Sequence, residues 1–283
     1  MTNVLHATPP RVRTALGRFR ATERDKRSGR FAVVVFRAGS RTWNRLGRHL
    51  LELTDMEPRD LTVLRFIARF RMVTRPQLRR ALFAGLSETV AKRSIDRLLA
   101  AGYLGAERVS KTGYQVLWST ARGRDHLVER GASAADLFPA RGPAAAKDFR
   151  HTERIIDVAI SFLERGWRAD AVLPAWALQR SLGARGRAVP DLLVLERGIE
   201  SRAPVAVAVE VDLGSEALTV FVPKLQLLAA WLAGYCAASR CALLVLTTTP
   251  HRRDALRARV ETARLGLPTS IECIDIFTTI RRP

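Results

Sequence analysis

Three carboxylates in the second half of the chain, Asp191, Glu210 and Asp212, have the type and spacing for phosphodiester chemistry. Asp191 follows Pro190 at the start of one apolar run, and Glu210 with Asp212 closes the next, Val-Ala-Val-Glu-Val-Asp. Side chains alternate along a strand, so Glu210 and Asp212 point to one face, where with Asp191 on the adjacent strand they would hold one Mg²⁺. A hard cation on such a set suits metal-assisted phosphodiester hydrolysis. The competing reading makes them strand-end carboxylates satisfied by backbone amides or by arginines of the preceding loop, Arg180, Arg185 or Arg187. Close carboxylates repel one another, so Mg²⁺ or one of those arginines is expected among them.

A second set of residues points to a polyanion. Of 283 residues, 47 are Lys or Arg and 27 are Asp or Glu, a formal net charge of +20. A field of that sign favours nucleic acid or an anionic membrane surface. By segment the formal charge is about +7 over residues 1–57, +9 over 58–130 and +4 over 131–283, which places the footprint in the first half. Residues 1–30, with Pro9-Pro10 and eight cations, read as a basic arm that orders on phosphate. Phe31–Phe36 reads as a short strand or apolar anchor, and Trp43–Leu53 has helical spacing.

Other classes are set aside. Met1–Arg13 lacks an apolar leader core, and Leu225–Ala238, the most apolar stretch, falls short of the ~20 residues a spanning helix needs. Neither secretion nor a membrane partner is expected. The odd cysteine set, Cys236, Cys241 and Cys273, reads as reduced thiols in a cytoplasm. Neither those nor the five histidines show zinc spacing, and Gly183–Gly186 lacks the lysine and hydroxyl of a P-loop. No cofactor is expected unless the carboxylates hold Mg²⁺.

The elements that would meet DNA lie between residues 57 and 130. Pro58 suits a first helical position, and Leu61, Leu64, Ile67 and Phe70 follow with helical period. Thr74 and Gln77 form a capping-box pattern before a short second helix, and Ser87 to Gly102 delimits a third. Tyr103–Val109 and Tyr114–Ser119 flank Ser110–Gly113 as a hairpin, and Thr120 caps one more helix. Helix, helix, turn, helix and hairpin make a winged helix-turn-helix. In a major groove its third helix would present Thr89, Lys92, Arg93 and Arg97, while Arg75, Arg79, Arg80 and the wing-tip Lys111 would meet phosphate.

Residues 131–146, rich in Ala, Gly and Pro, read as a linker. Beyond it the pattern gives a helix over His151–Leu163, strands over Val172–Leu178, Val189–Leu195 and Pro204–Val211, and a helix over Ser215–Tyr235. A strand over Cys241–Thr247, a helix over Arg252–Leu265 and a strand over Ile271–Phe277 follow. The expected class is α/β: an N-terminal winged helix-turn-helix plus a C-terminal α/β sandwich around a mixed sheet. The expected division is 1–56 arm and extension, 57–130 DNA-binding domain, 131–146 linker and 147–283 sandwich domain.

Pro190-Asp191 followed by Glu210-Val211-Asp212, in an αβββαβ order, resembles the PD-(D/E)XK nuclease fold. With the winged domain in front, and His151, Glu153 and Asp157 on the intervening helix, the layout over roughly residues 57–265 resembles the replication-relaxation family of plasmids and other mobile elements. The resemblance implies a lysine two positions after Glu210, where this chain has Asp212; Lys224 on the following helix is the candidate replacement. It further implies a cytoplasmic double-stranded-DNA-binding protein of a mobile element, acting in replication, transfer or transcription control. Its nuclease-like domain would be inactive and serve a homodimer or contact with a replication or transfer protein. The alternative is a Mg²⁺-dependent endonuclease using Asp191, Glu210, Asp212 and Lys224, and a DNA-packaging protein of weak sequence preference is a third.

Overall fold

Pro58 starts helix α1 (Pro58–Arg69), where a missing N–H costs nothing, and Val63, Leu64, Phe66 and Ile67 form its buried face. This computed structural model describes residues 56–108, 113, 115–139, 149–181, 188–196, 205–235 and 240–279. The arm, the Phe31–Phe36 and Trp43–Leu53 segments, Lys111, Arg185 and Arg187 therefore lie outside the described residues. After α1 the chain reverses at Arg71, whose φ is 67°, into a short strand β1 (Val73–Thr74) that the sequence pattern did not signal.

Helix α2 (Arg75–Leu82) begins at a complete capping box: the Thr74 hydroxyl accepts from Gln77 N at 3.3 Å, and the Gln77 amide oxygen accepts from Thr74 N at 3.0 Å. Helix α3 (Glu88–Ala100) begins after Ser87, whose side chain makes no capping bond. It ends as expected at Gly102, which adopts φ 72° while Tyr103 N donates to Leu98 O at 3.0 Å. Strands β2 (Leu104–Arg108) and β3 (Gln115–Ser119) pair antiparallel, and β1 adds to β3, giving the order β1-β3-β2. Gly105 is required there, because a Cβ would stand 2.4 Å from the Trp118 ring. Thr120 accepts from Gly123 N at 3.1 Å and so caps α4 (Ala121–Glu129).

The remaining elements are α5 (Phe149–Glu164), β4 (Val172–Pro174), α6 (Ala175–Ser181), β5 (Leu192–Glu196), β6 (Val205–Asp212) and α7 (Leu218–Tyr235). They continue with β7 (Arg240–Thr247), α8 (Pro250–Ala263), β8 (Thr269–Cys273) and α9 (Ile274–Thr279). The five strands lie in the order β4-β5-β6-β7-β8, antiparallel from β4 to β6 and parallel from β6 to β8. One face (Val194, Val209, Val211, Leu244, Leu246) packs on Ile156 and Ile160 of α5. The other (Leu193, Ala206, Ala208, Leu243, Val245) packs on Phe221, Leu225 and Leu228 of α7 and Leu256 of α8. The described residues thus make a mixed α/β protein with two sheets, one of them mixed.

Two expected strands are shorter than their patterns. The run Val172–Leu178 leaves the strand after Pro174, because Ala-Trp-Ala-Leu continues as α6, whose Leu178 enters the sheet core. The run Ile271–Phe277 turns helical at Ile274, which joins the core on the α5 side while Asp275 occupies the first turn of α9. Tertiary burial outweighs β-propensity in both places.

The basic helical half and the mixed-sheet half share one apolar core, from Leu64 and Ile67 through Leu127 to Ile156 and Val194. Polar clamps reinforce it. The Arg80 guanidinium donates to Asp157 O at 2.9 Å and lies 3.1 Å from the Glu164 carboxylate, and Gln77 Nε2 donates to Glu153 O at 2.8 Å. Trp176 Nε1 donates to Arg69 O at 2.9 Å, and Phe138 N donates to Ala68 O at 2.8 Å. Among the described residues no helix is long and apolar enough to cross a membrane.

Candidate nucleic-acid interface and carboxylate cluster

Helix α3 buries Ala91, Ser94, Ile95 and Leu98 and turns Thr89, Lys92 and Arg93 to solvent. Lys92 is loosely paired with Asp96 at 3.4 Å, one turn on, an exposed pair worth only a few tenths of a kcal/mol. Arg93 is exposed, with no ion-pair partner among the described residues.

The other basic residues fall into two groups. Arg79 is half exposed and faces Glu88 at 3.6 Å; Arg75 bonds the Gln115 side chain on β3 and lies 3.4 Å from Asp96. Arg97 and Arg80, by contrast, are committed within the chain. Arg97 forks onto Asp60 (Nε–Oδ2 2.8 Å, Nη2–Oδ1 2.9 Å) and reaches Glu57 at 2.9 Å. Asp60 is itself buried and bonded by the Ser94 hydroxyl, so Arg97 ties α3 to α1. Arg80 holds α2 to α5 as described. Neither guanidinium can take another partner without breaking these bonds, whereas Arg93 and Thr89 are exposed and Lys92 holds only its weak pair with Asp96.

The carboxylates stand where β5 begins and the antiparallel β6 ends. Asp191 precedes β5; its Oδ2 accepts from Val211 N at 2.9 Å and lies 3.3 Å from His151 Nε2. The same Nε2 is 2.9 Å from Val211 O, and since a carbonyl only accepts, it carries the proton. The bond to Asp191 leads in raising the His151 pKa, against burial.

Glu210 is fully buried, and Lys224 Nζ donates to its Oε2 at 2.7 Å. Its Oε1 is buried with no hydrogen-bond partner among the described residues. Burial, then the neighbouring Asp191 charge, push its carboxyl up to about 8, with Lys224 opposing. On Lys224, burial acts downward but the Glu210 charge and hydrogen bond prevail and raise it.

Asp212, on the same strand face by parity, turns to α8. Arg252 Nε donates to its Oδ2 at 2.6 Å and Nη2 to its Oδ1 at 3.3 Å, and Gly214 N donates to Oδ1 at 2.8 Å. Among the described residues the partners of the three carboxylates are His151, Lys224 and Arg252; of the loop arginines expected from sequence, Arg180 donates to Ala134 O at 3.1 Å instead, and Arg185 and Arg187 lie outside the described residues. Among the described residues no three His, Cys, Asp or Glu side chains are grouped closely enough to hold a metal ion. The three carboxylates do not converge as a set.

Sequence reasoning singled out Lys224 and placed it on the carboxylates' side, but missed His151 and Arg252 as their partners. Arg252 is one basic residue of several in α8, and only its place in the first turn, after the Thr249 cap, brings it to Asp212.

These features define an α/β protein in which a basic four-helix unit with a small antiparallel sheet is fused by a common core to a mixed sheet whose strand-end carboxylates are bonded to His151, Lys224 and Arg252. The family model described as replication-relaxation matches residues 64–238, and the chain belongs to that family. The curated proteins contain no match to it.

Proposed function

We propose that this protein binds double-stranded DNA of a plasmid or other mobile element and acts in its replication, transfer or transcription control. In this reading α1 to α4 with β1 to β3 form a winged helix-turn-helix, and α3 is its recognition helix. The mixed-sheet half is a PD-(D/E)XK-like scaffold without catalysis. The observation that carries the reading is the outer face of α3, where Thr89, Lys92 and Arg93 are exposed. The replication-relaxation match and the net charge of +20 support it.

Arg93→Ala is expected to weaken binding to a duplex selected from a random pool by about 1–3 kcal/mol and to relax preference at one base pair, as loss of a bidentate guanine contact does. Arg97→Ala is expected to lower stability, through the stranded Asp60, and to leave base preference unchanged. Fluorescence anisotropy on matched and single-substituted duplexes measures both. Wild-type affinity and preference in Arg93→Ala would place base reading elsewhere.

One observation favours the second reading, a Mg²⁺-dependent endonuclease: Lys224 on Glu210, next to Asp191, with Glu210 Oε1 left without a partner. Against it, Asp212 is taken by Arg252, and among the described residues no three His, Cys, Asp or Glu side chains are grouped to hold a metal ion. The scaffold reading expects supercoiled plasmid to stay intact in Mg²⁺ or Mn²⁺, and the melting temperature to be unmoved by either metal. Nicking, or a metal-dependent stabilisation lost in Asp191→Asn, would establish the nuclease.

A further inference from the structure

The outer face of α3 carries a carboxylate on its midline. At roughly 100° per residue, Thr89 and Asp96 point within about 20° of one another and away from the buried Ala91, Ser94, Ile95 and Leu98, while Arg93 and Lys92 lie on either side of them. A helix laid in a major groove by this face brings its midline to the base edges and its flanks toward the phosphates. A carboxylate there is repelled by phosphate. Its one favourable partner on DNA is an exocyclic amine of a base.

Asp96 keeps acceptor capacity for such a partner. Its Oδ1 is 3.4 Å from Arg75 Nη2 and its Oδ2 is 3.4 Å from Lys92 Nζ, both longer than the ~2.7–2.9 Å of a tight charge-assisted bond. Asp60 on α1 is the contrast: its side chain is 5% exposed and Arg97 holds it at 2.8 and 2.9 Å, whereas the Asp96 side chain is 46% exposed. Asp60 is spent within the fold and Asp96 is not.

Arg75 fixes where that carboxylate stands. It is the first residue of α2, its Nε donates to the Gln115 side chain on β3, and its Nη2 reaches Asp96 on α3, so one guanidinium spans three elements of the basic unit.

We infer that Asp96 is a specificity-determining residue that accepts the N4 amine of a cytosine in the major groove, and that Arg75, bridging Gln115 and Asp96, positions it. The inference rests on the reading of α3 as the recognition helix. Cytosine is selected because an ionised carboxylate only accepts: guanine and thymine present no donor in the major groove, and adenine sets its N7 acceptor beside the N6 amine, where it opposes a negative charge.

Fluorescence anisotropy of the full chain, on a duplex selected from a random pool and on its single base-pair substitutions, tests this. The wild-type chain is expected to favour cytosine about tenfold at one pair, other than the pair relaxed by Arg93→Ala. Asp96→Ala should erase that preference with affinity for the remaining duplexes unchanged or raised, because a negative charge leaves the face. Asp96→Asn should move the preference to adenine, whose N6 and N7 suit an amide. Both variants should melt as the wild type does, since the side chain is half exposed. Arg75→Ala should weaken the same preference and add nothing in the Asp96→Ala background. An even loss of affinity across all duplexes in both backgrounds would make Arg75 a phosphate contact and overturn its positioning role. Wild-type preference at every pair in both Asp96 variants would overturn the inference and leave the DNA reading intact. A wild-type chain that selects no duplex would overturn the DNA reading, and this inference with it.

Discussion

Arg252→Ala is expected to destabilise the protein by about 3–5 kcal/mol, because it strands a carboxylate that is nearly inaccessible to water. The Asp212 side chain is 2% exposed, and Arg252 meets it at 2.6 and 3.3 Å while also donating to Glu216 O at 2.6 Å. The loss is a large share of the roughly 5–15 kcal/mol that holds a domain folded. A buried ion pair adds little net stability relative to an apolar replacement, so Arg252→Met combined with Asp212→Leu should recover most of the deficit. Urea denaturation of the three variants measures it through the midpoint at constant slope. A cost below about 1 kcal/mol for Arg252→Ala would mean that Asp212 is neutralised in some other way.

Stability is expected to fall as pH rises from 5 to 8, and Glu210→Gln should flatten most of that slope. Glu210 has a folded pKa of about 8 and an unfolded one near 4.3, so between those values the folded chain holds a proton that the unfolded chain has released. Its contribution is fully present below the unfolded value and is lost as pH climbs through the folded one. His151, raised by its bond to Asp191, acts with the same sign: its contribution is complete below about 6.5 and disappears above its folded value. Glu153 and Asp157, both raised chiefly by burial, add to the same trend at lower pH. One proton is worth up to about 1.4 kcal/mol per pH unit, so the Glu210 share across this window is on the order of a few kcal/mol. Chemical denaturation at half-unit pH steps measures the slope. A flat wild-type profile, or an undiminished slope in Glu210→Gln, would show that Glu210 is ionised throughout.

Local chemistry made most of the elements legible in the sequence. Thr74 with Gln77, Gly102 and Thr120 fix helix ends through bonds between residues three to five positions apart, and such signals need no tertiary context. The apolar periods of α1, α5 and α7 likewise marked buried faces that the structure fills. The replication-relaxation membership was readable from the order of those elements and the Asp191 to Asp212 strand ends.

What each charged side chain does was not readable, because that depends on partners distant in the chain. Arg93 and Arg97 stand four residues apart on one helix with the same chemistry, yet one faces solvent and the other is forked onto Asp60, 37 positions earlier. Arg80 reads as a phosphate contact until α5 arrives 77 positions later with Asp157. Alternation along β6 set Glu210 and Asp212 on one face, but only packing decided that α7 offers a lysine to the first and α8 an arginine to the second. A strand's own period fixes which way a carboxylate points; its ionisation and its work are fixed by whatever the fold brings within hydrogen-bonding distance.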